Sequence, residues 1–164
     1  MTQALENPAA TENAGPPVSL LTHIALPVRN LDRQLEFYAR YTTMKVVSRR
    51  IDPETNLSTA WLANERDIRP DGGARFVIVL IEGSLPRDVV GDEMVEEYTF
   101  LTSISHLGIS LDTRDDVDRV AAMAKADGTL VLGPMYRDEV VGYICLLRDP
   151  DGNNVEFSVE QDLG

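Results

Sequence analysis

Apolar positions along this chain follow two spacings, an alternation with period two in eight short stretches and a three-to-four-residue stripe in two others. Leu20–Val28 reads as a β run, and Asn30-Leu31-Asp32 behind it suits a helix N-cap. Leu31, Leu35, Tyr38 and Ala39 then recur at helical spacing, with Arg33, Gln34 and Glu36 facing water, and the helix is expected to end near Tyr41. Met44–Ile51, Leu57–Ala63 and Arg75–Glu82 follow as strands. Turn-forming segments around Pro53 and around Pro70-Asp71-Gly72-Gly73 separate them.

The same order then returns. Ser105–Leu111 is a β run, Asp112 to Asp116 is cap-like, and Val117, Val120, Ala121 and Ala124 mark a helix stripe that stops at Gly128. Leu130–Tyr136, Val140–Leu147 and Asn154–Val159 complete the set. Thr22-His23-Ile24-Ala25-Leu26 aligns with Ser105-His106-Leu107-Gly108-Ile109, and Asp32 and Asp115 each follow their histidine by nine positions. The chain therefore reads as a duplicated βαβββ unit of α+β class, with module one over about 20–84, a connector over 85–104 and module two over about 105–161. Residues 1–18, rich in Ala, Pro, Asn, Thr and Glu, read as a flexible tail ahead of a single domain over 19–164.

Composition narrows the class of partner. The 164 residues carry a net charge of −12, which repels a nucleic-acid backbone or an anionic membrane from most directions. The first eighteen residues lack the basic start and apolar stretch of a secretory signal, and no run approaches the roughly 18 apolar residues of a membrane span. The single cysteine, Cys145, lies in the apolar run Tyr143–Leu147 and reads as a buried packing residue. A cytoplasmic setting is the expectation.

Strand alternation then sorts the chemistry. Ile24, Leu26 and Val28 form one face of the first strand, leaving His23 on the other. Leu107, Ile109 and Leu111 likewise leave His106 opposite, and Val155, Phe157 and Val159 leave Glu156. These are the only two histidines, and they occupy equivalent places in the repeat. Two imidazoles and a carboxylate form the facial set that holds a divalent ion while leaving positions open to substrate.

THIALPV, SHLGISL and RDPDGNNVEF together resemble the vicinal oxygen chelate superfamily, which contains glyoxalase I, extradiol dioxygenases, methylmalonyl-CoA epimerase and fosfomycin and bleomycin resistance proteins. The resemblance covers about Leu20 to Gln161. It implies two βαβββ modules curling into a cupped mixed sheet around one divalent ion, Fe(II) or Mn(II) ahead of Ni(II) or Zn(II). His23, His106 and Glu156 match the ligand positions. It also implies a homodimer and a small-molecule substrate that chelates the ion through neighbouring oxygens.

The fourth strand departs from glyoxalase I, which places a further Glu or Gln ligand in its middle. Here the alignment sets Val79 at that position, with Glu82 three residues on and on the opposite face; a slipped register or a bulge would make Glu82 a fourth ligand. That loss favours dioxygenase-type chemistry over a glyoxalase-like lyase or isomerase, with a non-catalytic antibiotic-binding protein as the competing class. Pairing Glu156 with Leu147 across the last hairpin places Tyr143 on the ligand face as a candidate acid–base group. Trp61 reads as packing or cup lining, and the acidic connector as a solvated link or a flap. Arg29, Arg49 and Arg137 are candidate anion binders that read more simply as surface charge.

Overall fold

In a computed structural model, residues 21–53, 56–83, 101 and 105–161 are described. The tail over 1–18 and nearly all of the connector over 85–104 lie outside the described residues, and so does the flap reading. Module one runs β1 (His23–Val28), α1 (Leu31–Tyr41), β2 (Lys45–Ile51), β3 (Ser58–Ala63), a 3₁₀ turn (Glu65–Asp67) and β4 (Val77–Glu82). Module two runs β5 (Leu107–Ser110), α2 (Arg114–Asp127), β6 (Leu130–Tyr136), β7 (Tyr143–Arg148) and β8 (Asn154–Val159).

The modules form two four-stranded mixed sheets of matching topology, β1-β4-β3-β2 and β5-β8-β7-β6, rather than one continuous sheet. In each, the first strand pairs parallel with the last and the other pairings are antiparallel. The parallel pairing follows from the helix that returns the chain across the sheet. Both helices are capped as the sequence predicts: Asn30 Oδ1 accepts from Arg33 N at 2.8 Å, and Thr113 Oγ1 accepts from Asp116 N at 3.2 Å. Gly128, at φ +74°, closes α2 in the left-handed conformation that glycine adopts without Cβ strain.

One apolar core runs through both modules. Leu26, Val28, Leu62 and Leu80 from the first sheet, and Leu107, Leu147, Val155 and Phe157 from the second, share it with Leu31, Phe37 and Tyr38 of α1 and Val117 and Val120 of α2. The helix-facing sides of both sheets thus point into the protein, and their opposite faces carry His23 and Glu156. A polar knot joins the halves beside this core. The fully buried Gln34 of α1 donates through Nε2 to Asp149 Oδ2 at 3.1 Å and Asp151 Oδ2 at 2.8 Å, both in the β7–β8 turn. Arg40 and Tyr41 at the end of α1 bond Asp127 at the end of α2, Arg40 Nη2 reaching Asp127 Oδ1 at 2.8 Å. Among the described residues no helix is long and apolar enough to cross a membrane.

Candidate metal centre

The second sheet gathers two of the expected ligands. Parallel pairing sets Gly108 across from Glu156 and Leu107 across from Val155, so His106, Gly108 and Glu156 share the face away from the core. His106 Nε2 lies 3.8 Å from Glu156 Oε2. An ion with bonds of about 2.0–2.2 Å spans that distance at an open ligand angle. The Glu156 side chain is buried, and its partner from the same sheet end is Gln161, whose Nε2 stands 3.4 Å from Oε1. A buried carboxylate with one long hydrogen bond and an imidazole 3.8 Å away is a favourable place for a cation. Space for one exists, since a Cβ built on Gly108 would meet nothing within 4 Å. His106 and Glu156 are two donors of the type that binds a divalent ion, with open space beside them; a third donor has to come from elsewhere.

His23 stands elsewhere. It is exposed on β1 of the first sheet, with Nδ1 3.1 Å from Thr22 Oγ1. Among the described residues no three His, Cys, Asp or Glu side chains form a set that could hold an ion within one chain. The expected meeting of His23 with His106 and Glu156 is therefore absent inside the single chain, because the two ligand faces belong to separate sheets that both turn outward from the common core.

Val79 and Glu82 lie where strand alternation predicts. Val79 pairs with Ala25 on one side and Trp61 on the other, on the His23 face. Glu82 is on the helix face and its Oε2 accepts from Leu31 N at 2.6 Å, which commits the carboxylate to the positive N-terminal end of α1. Glu82 thus supports the first turn of α1, on the face opposite Val79. The signal for this was present in the sequence, in an acidic residue at the strand end and an N-cap at Asn30, but no local pattern connects positions 51 apart.

Tyr143 needs a correction. Glu156 pairs with Leu146, not Leu147, so Tyr143 pairs with Val159 on the face toward α2. There its hydroxyl donates to Asp118 Oδ1 at 2.6 Å, which holds the phenol above its ordinary pKa, and Arg114 lies over its ring at 5.2 Å. It has no access to the ligand face. Cys145, on the same strand and fully buried, is pushed up to about 12, by burial first and then by the charges of Glu156 and Asp118, and is inert as a thiolate. Arg29 and Arg49 are occupied by Asp151 and Asp32 respectively, the latter with Nη2–Oδ1 of 2.7 Å.

The architecture and sequence have known counterparts. Residues 20–157 match the Glyoxalase/Bleomycin resistance protein/Dioxygenase superfamily. An uncharacterised protein of Pseudomonas aeruginosa is 39% identical over 144 residues, covering 88% of this chain and 91% of that one. A lactoylglutathione lyase of Escherichia coli O157:H7 is 25% identical over 144 residues, covering 88% and 95%. Among solved structures, a fosfomycin resistance protein of Listeria monocytogenes superposes with a TM-score of 0.64 over 90% of this chain and 97% of its own, at 17% identity, which speaks to fold alone. The chain belongs to the Glyoxalase/Bleomycin resistance protein/Dioxygenase superfamily.

Proposed function

We propose that this protein is a metal-dependent enzyme acting on a small molecule that chelates the ion through neighbouring oxygens, with His106 and Glu156 of one copy and His23 of a second copy as ligands in a homodimer. The observation that carries it is the buried Glu156 carboxylate 3.8 Å from His106, beside the open space at Gly108. His23, exposed on the outward face of the other sheet and grouped with no two other donors among the described residues, is open to a second copy. When bound, the ion supplies Lewis-acid polarisation and a template for the substrate's oxygens.

The protein's own groups bias the chemistry. Val79 stands where a fourth ligand would double as a proton carrier, and Tyr143 is turned to the opposite face, so the site holds few groups able to move a proton between two substrate carbons. This favours an O₂-dependent reaction of a catechol-like substrate over isomerisation. The lyase reading has its own support in the relatives named as lactoylglutathione lyases.

Two measurements test the proposal. Elemental analysis of protein purified without chelator is expected to find one divalent ion per chain. Subunit mixing then tests sharing: H23A and E156Q copies are each expected to bind no metal, whereas their mixture regains up to half the wild-type sites, because one mixed interface holds an intact ligand set. No regain on mixing rules out the shared site. O₂ uptake with a catechol panel after anaerobic Fe(II) loading, against turnover of a glutathione–methylglyoxal adduct with Ni(II) or Zn(II), ranks the two chemistries.

A further inference from the structure

The outward face of the first sheet has a composition of its own. Its middle row runs Ala25, Val79, Trp61, Ser48, and the next row runs Pro27, Ile81, Thr59, Arg50. Trp61 is 38% exposed on this face, whereas its neighbours Ala60 and Leu62 are buried on the core side. Arg50 reaches the same face through an irregularity. Val46 pairs with Leu62, but Ser48 pairs with Trp61, so Val47 is the extra residue of a β-bulge. Without it, Arg50 would share the core side with Val46. With it, Arg49 turns to the helix and bonds Asp32, and Arg50 turns to the cup.

Arg50 is exposed there, one row from Trp61 along the diagonal that long side chains span. No carboxylate of the described residues pairs with it. Lys45, on the same face, is paired with Glu65, so in a chain of net charge −12 Arg50 stands out as a cation beside the apolar Ala25, Val79, Ile81 and Trp61 of this face. We infer that this face is the substrate floor, and that the substrate is a flat organic anion: its ring or conjugated plane lies on Trp61 and its carboxylate pairs with Arg50, leaving the vicinal oxygens for the ion. This rests on the reading of the cup as a small-molecule metal site, and adds the chemical class of the molecule it takes. A planar body suits the indole face and the shallow Ala25, Val79 and Ile81 floor, and the guanidinium fork matches a carboxylate.

The test titrates the Mn(II)-loaded full chain anaerobically with three probes, followed by calorimetry and, for benzoate, by the fluorescence of Trp61, the only tryptophan. 3,4-Dihydroxybenzoate carries ring, vicinal oxygens and anion; catechol lacks the anion; benzoate lacks the vicinal oxygens. Dihydroxybenzoate is expected to bind about tenfold more tightly than catechol, as one charge-assisted pair provides. R50Q brings the two within about twofold, and R50K restores part of the gap. W61A weakens all three while W61F retains most of the affinity. An unchanged preference in R50Q, or no binding by any probe at millimolar concentration, overturns the inference. E156Q separates the two proposals. If it leaves dihydroxybenzoate affinity intact while R50Q abolishes the preference, the metal reading fails and the anion subsite stands. If E156Q weakens binding and R50Q does not change the preference, the subsite fails and the metal reading stands.

Discussion

Val79 occupies in the first sheet the position that Glu156 occupies in the second. Each lies on the last strand of its module, opposite the residue two places after a histidine: Ala25 follows His23 and pairs with Val79, and Gly108 follows His106 and pairs with Glu156. The repeat thus predicts what V79E does. If the site is shared between two copies as proposed, a second carboxylate joins it, and Zn(II) or Ni(II) affinity is expected to rise at least about tenfold by calorimetry. Turnover of the glutathione–methylglyoxal adduct should rise with it. Unchanged affinity in a folded V79E protein would mean that the two faces never meet.

E156Q keeps the volume of the side chain and removes its charge. Metal affinity is expected to fall by about 100-fold or more, with thermal stability unchanged or raised, since a buried carboxylate without its cation is a cost to the fold. Metal content and a melting curve on the same sample decide it. A drop in stability with metal retained would assign Glu156 a structural role.

Glu82 offers the opposite contrast. E82A removes the acceptor for Leu31 N at the start of α1, and a loss of about 1–2 kcal/mol in unfolding free energy is expected from denaturant curves. Metal stoichiometry should stay as in wild type. Loss of metal in a folded E82A protein would return Glu82 to the ligand set.

Much of this was legible in the sequence, and the parts that were not share one cause. The duplication, both helix caps and the faces of β1, β4, β5 and β8 follow from periodicity and from the residue types at the turns. Pairing register does not. The β7–β8 turn closes Arg148 onto Asn154, one place away from the pairing that would put Tyr143 on the face of Glu156, and a one-residue slip moves every side chain of a strand to its other face. The bulge at Val47 had the same effect on Arg49 and Arg50, and no turn residue marks it. Nor could one chain's sequence show that His23 faces away from the pair it was expected to join.

Y143F is therefore expected to change kcat/KM by less than twofold on any substrate that the assays of the proposed function identify. Its effect lies in the lost bond to Asp118, about 0.5–1.5 kcal/mol of stability read from denaturant unfolding. A hundredfold loss of activity without unfolding would place Tyr143 in the chemistry after all.

Asp127 gives the pH dependence a location. Hydrogen bonds from Arg40 first, and then from Tyr41, hold its carboxyl below the usual range. The stabilisation from that shift is complete above the unfolded value of about 4 and is lost as pH falls through the lower folded value. D127N should lower the melting temperature at pH 7, and the gap from wild type should close as both are taken below pH 4. A gap that is constant across that range would show that the charge of Asp127 does not contribute.

The knot at Gln34 bears on how the molecule assembles itself. Its amide must find Asp149 and Asp151 across more than a hundred residues of chain, and the nearly dry Asp151 carboxylate takes its bonds from module one, from Gln34 and from the Arg29 backbone and guanidinium. An isolated half would expose one side of the common core and leave these groups half-solvated. Duplication made two similar units, yet the contact between them makes the pair one cooperative folding unit, expected to melt in a single transition rather than two.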